Sequence, residues 1–114
     1  MVDLDTKMKI DSLIDLAYNQ MIEIFNINEE SPENSIYRTM VAIKGDSVSY
    51  LNAYVNYYMG VFEGILITLF LDQLERYPNP SEKSFMQDSF TNRFHNFTDM
   101  AVNYAKKHYK QDLD

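Results

Sequence analysis

Glu63 stands inside the most apolar stretch of the chain, residues 48–71, VSYLNAYVNYYMGVFEGILITLFL. A carboxylate in such a setting must be paired, hydrogen-bonded or protonated. A poised carboxyl group is also the raw material of general acid–base catalysis. On a helix, Asn52 and Asn56 fall along the same narrow stripe as Glu63. The three side chains therefore read as a buried polar seam through an apolar element. Such a seam suits a bound ligand, or a hydrogen-bonded network that fixes how helices register on one another. Spacing alone places no second carboxylate beside Glu63, which favours the network over catalysis.

Other reactive residues are few. His95 and Asp99 lie one helical turn apart, and His108 stands near the end of the chain. Two such side chains fall short of the ligand set that a metal site needs. The sequence has no HExxH, no cysteine and no glycine-rich phosphate loop. Serines occur without the G-x-S-x-G context of a nucleophile elbow. The expectation is no metal, no cofactor and no catalytic residue. Tyr50, Tyr54, Tyr57 and Tyr58 form an aromatic ladder. Base-stacking proteins join such rings to a basic groove, and here bases are scarce, so core or interface is the better assignment.

The spacing predicts four helices that carry these groups. Ile10, Ile14, Ala17, Met21 and Ile24 recur at helical intervals over 5–25, with Leu13 and Phe25 widening the same face. Residues 26–34, NINEESPEN, read as a polar loop. A short second helix follows to about residue 44, with Ser31 before Pro32 or Asn34 as its cap. The third helix is expected over 48–76 and stops at Tyr77-Pro78-Asn79-Pro80. The fourth is expected to run from there to about 109. Asn79 as cap and Glu82 three residues on resemble a capping box. The short proline turn makes the two long C-terminal helices antiparallel neighbours. The fold class is thus an all-α bundle of four helices, the second short, forming one domain over 1–114.

The third helix is the informative one. Leu51, Val55, Tyr58, Phe62, Ile65 and Leu69 fill one side of its wheel. Ala53, Gly60, Gly64, Ile67 and Leu71 fill another. A helix apolar all round is buried all round. A bilayer would bury it, but Asn52, Asn56 and Glu63 interrupt the span, and a central carboxylate costs about 2.5–3.5 kcal/mol on insertion scales. The expectation is no membrane and a second copy of the chain on the Ala53–Gly60–Gly64 side. Gly60 and Gly64 have the GxxxG spacing that lets two backbones approach closely. A plainer reading gives the glycines to an internal neighbour, such as a phenylalanine of the fourth helix. The layout of the closing helix pair resembles the dimerising end of TetR-type regulators, in which paired helices form a four-helix bundle. The resemblance covers the second half of the chain and rests on layout. No helix-turn-helix precedes it, and no residue role is carried across.

Composition narrows the function classes. The 114 residues are 46% hydrophobic with three Gly and three Pro, which suits a few long helices. Net charge is −7, and residues 1–34 hold eight acids against two bases. Such a surface repels phosphate backbones, so direct nucleic-acid binding is not expected. It keeps a small protein soluble, and it suits a partner with a basic surface. The start, MVDLDTKMKI, has no basic region leading into an apolar run, which gives a cytoplasmic expectation. The function expected is a non-enzymatic, regulatory homodimer that acts by binding another protein. An inhibitor from a mobile element fits this size and acidity. The alternative is a small-molecule sensor with an apolar, aromatic pocket near Glu63. An enzyme using Glu63 ranks last.

Overall fold

In the computed structural model, residues 2–30, 35–36 and 47–108 are described, with side chains left undescribed at 47–52 and 108. These residues are all-helical and strand-free: α1 spans Leu4–Asn28, α2 Ser47–Leu74 and α3 Pro80–His108. The second helix expected before residue 44 lies outside the described residues, apart from 35–36.

Asp3 starts α1, its carboxylate accepting a hydrogen bond from the Thr6 amide at 2.8 Å. This satisfies one of the amides that a helix start leaves unpaired. The same bond holds the Asp3 carboxyl below its ordinary range. The apolar stripe then turns inward as its spacing predicts: Ile10, Leu13, Ile14, Ala17, Met21 and Phe25 are buried. Ile24, placed on that face by spacing, is only half-buried.

The polar loop expected from residue 26 starts later, because α1 continues through Asn28. Glu29 is buried, and its carboxylate accepts hydrogen bonds from the Ser35 hydroxyl at 2.8 Å and the Ile36 amide at 3.2 Å. The Tyr104 hydroxyl of α3 donates to the Glu29 backbone carbonyl. A tertiary contact thus recruits residues that local polarity assigns to solvent.

Phe25 is the hub that joins the three helices. Its ring lies 5.1 Å from Tyr58 of α2, and 5.3 and 5.7 Å from Phe97 and Tyr104 of α3. Edge-to-face packing of this kind contributes beyond the burial of area. Further along, Phe62 meets Phe90 at 5.6 Å. The core continues through Leu66, Phe70 and Met86, and the rod measures 49 × 21 × 21 Å. Burial holds the Tyr58 hydroxyl well above the usual phenol range.

A clasp closes the α2–α3 connection. Glu75 takes a left-handed φ of 57° just past α2, and its amide donates to the Leu71 carbonyl at 2.9 Å. The expected capping box is present: the Glu82 amide donates to the Asn79 side chain and the Asn79 amide to Glu82, both at 2.8 Å. Arg76 donates two further bonds of 2.7 Å to the two Glu82 oxygens. The Arg76 fork, foremost, and the Asn79 amide hold the Glu82 carboxyl down at about 2, against the pull of burial.

Candidate functional site

The face of α2 turned to its own chain carries Tyr54, Tyr58, Phe62, Leu66 and Phe70, each fully or almost fully buried. This stripe lies partly beside the expected one: Val55, Ile65 and Leu69 are half-buried flanks. Apolar residues surround α2, so their periodicity gives no preference for a face. The neighbours that reach it decide instead.

The opposite side of α2 is the less covered one among the described residues. Asn56, Gly60, Glu63 and Gly64 are exposed there, and Ala53, Ile67 and Leu71 are half-buried. At about 100° per residue these seven positions fall within an arc of about 100°. The polar seam and the small-residue stripe are therefore one outward face. The polar residues are a correction: Asn56 and Glu63 lie exposed on the single chain, outside its core. The described parts of α1 and α3 leave Glu63 open to water. The Asn52 side chain lies outside the described residues.

The glycines are open. A Cβ placed on Gly60 or on Gly64 would meet nothing within 4 Å. No phenylalanine of α3 occupies the space, so the plainer reading of the glycines as internal spacers is not supported. Two shallow grooves flank this ridge. One, of about 370 Å³, lies toward α1 and is bordered by Gln20, Val61, Ile65 and Thr68 as well as both glycines. The other, of about 230 Å³, lies toward α3. Its floor is Phe62, Leu66, Met86 and Phe90, and its rim carries Glu63, Lys83 and Gln87.

Residues 53–74 are long and apolar enough to cross a bilayer by length and composition, yet only 28% of their most apolar stretch is buried. The other large apolar side chains described on α2 are half-buried against the core, and Tyr57 is the one that stands exposed. The chemistry on offer is thin by comparison. Lys83 is the one titratable neighbour of Glu63 in its groove. His95 and Asp99 are exposed on α3. Among the described residues, no group of three metal-ligating side chains comes together.

Comparison with known proteins adds no relative: no family model, no curated protein and no solved structure matches the chain.

Proposed function

We propose that this chain is a non-enzymatic interaction protein that works as a homodimer in the cytoplasm and binds another protein. The observation that carries this reading is the open glycine face of α2. A Cβ on Gly60 or Gly64 would meet nothing within 4 Å, at the centre of the most apolar helix. A glycine inside a helix costs about 1 kcal/mol relative to alanine. Two of them on an open face give up stability without gaining anything inside the chain. Close approach of another backbone is the return that offsets this cost.

The fold behind this reading is a four-helix arrangement, with a short helix between α1 and α2 and with α2 antiparallel to α3. The pairs Tyr58–Phe97, Phe62–Phe90 and Arg76–Glu82, whose numbers run in opposite directions, support the antiparallel part. A protein surface suits the open face better than lipid does, because Asn56, Glu63 and Thr68 would stand in the hydrocarbon. The acidic side of α1, with Asp5 and Glu23 exposed, supplies a surface for a basic partner. A regulator or inhibitor carried by a mobile element fits that description. The groove beside Glu63 favours a small-molecule sensor as second reading. At about 230 Å³ it falls below the 300–1,000 Å³ of pockets that enclose a ligand, which ranks the sensor lower.

The chain has no native cysteine, which makes a clean test available. Gly60→Cys should cross-link to its own copy under mild oxidation, since a disulfide needs Cα atoms within about 7 Å. Glu23→Cys, on the outer side of α1, should not. Equal cross-linking at both sites, or none at Gly60, would refute the α2 interface.

A further inference from the structure

Glu63 and Lys83 have opposite charges and line one groove, yet among the described residues neither forms an ion pair. Both are exposed on the single chain. The groove runs along the open face of α2, one residue from Gly64. A second copy seated on that face would take Glu63 out of water. A carboxylate desolvated without a partner is strongly destabilising, and one held by a cation is not.

Resting on the dimer reading above, we propose that Glu63 of each copy pairs with Lys83 of the other across a two-fold axis, and that these two ion pairs set the register of the dimer. A two-fold interface is self-complementary: where residue i meets j, j meets i. One acid and one base on the same face therefore satisfy each other twice. Of the rest of the face, Ala53, Gly60, Gly64, Ile67 and Leu71 are apolar and Asn56 is polar but uncharged. A helix pair packed on the apolar residues alone would slide. The charge pair also explains how a chain of net charge −7 meets its own copy, since the contact face balances one acid against one base.

The test is charge reversal with trans complementation. Glu63→Lys alone should weaken the dimer about 100-fold, two pairs at about tenfold each, and Lys83→Glu should do the same. An equimolar mixture of the two variants should form a heterodimer, because each chain then carries what the other lacks. Light scattering reads the mass, and circular dichroism checks that helicity is kept. Should a reversal unfold the chain, Glu63→Gln and Lys83→Gln replace it, and the double variant should be no weaker than either single one. Wild-type chain found as a monomer at micromolar concentration would remove the dimer reading itself. Reversal variants that dimerise like wild type would overturn the register while leaving the dimer standing. Rescue by both reversals in one chain, without rescue in the mixture, would place the pair within a single copy and overturn the proposal too.

Discussion

Replacing Gly60 and Gly64 together by leucine separates what the glycines do inside the chain from what they do outside it. Inside, the structure gives the new side chains room, since even the first added carbon meets no atom within 4 Å. Leucine is close to alanine in helix propensity, so each exchange should stabilise the helical state by about 0.8–1 kcal/mol, or about 1.5–2 kcal/mol for the pair. Outside, the same side chains fill the contact face and hold two backbones apart. Overpacking of this kind costs about 1–3 kcal/mol per site, and the two-fold axis counts each site twice. The double variant should therefore keep its helicity, unfold at a higher urea concentration than a monomeric wild-type reference, and lose its dimer. Its urea midpoint should no longer depend on protein concentration, whereas the wild-type midpoint should rise with it. A double variant that remains dimeric would refute the reasoning. So would one that unfolds more easily than the wild type under conditions where both are monomers, for the glycines would then serve the chain's own packing.

Three further outcomes follow from the clasp between α2 and α3. Glu82→Ala removes half of a capping box and the acceptor of the Arg76 fork, and should cost about 2 kcal/mol by urea denaturation at pH 7. The Glu82 carboxyl is held at about 2 against an ordinary 4.5, so its contribution is present above pH 4.5 and is lost as pH falls from there towards 2. The gap between wild type and Glu82→Gln should accordingly close between about pH 4.5 and pH 2, and a gap that stays constant would contradict the assignment. Glu75→Gly relieves a left-handed backbone position, and should raise stability by about 0.5–1 kcal/mol in thermal melts.

The sequence is legible where local rules govern. Asn79, Pro80 and Glu82 announce the start of α3, and the reciprocal bonds between Asn79 and Glu82 are there. Ile10, Ile14, Ala17 and Met21 announce the buried face of α1 in the same way. Legibility ends where tertiary contacts decide. Glu29 reads as a loop residue and is buried, because Ser35 and Ile36 supply its hydrogen bonds from six and seven residues on. Arg76 gives no signal of its role from spacing, since its partnership with Glu82 needs the chain to turn through Pro78. Glu63 is the clearest case: apolar neighbours in sequence suggest burial, and on the single chain the carboxylate stands exposed. A helix apolar all round announces that something covers it, and leaves open which chain supplies the cover.

In the proposed homodimer a second copy supplies it. Light scattering of the wild-type chain on a sizing column, at micromolar concentration and near-neutral pH, measures this without any substitution. The homodimer should read about 27 kDa, twice the 13.4 kDa of one chain. A single peak at 13.4 kDa would contradict it, and would leave the open glycine face without an occupant.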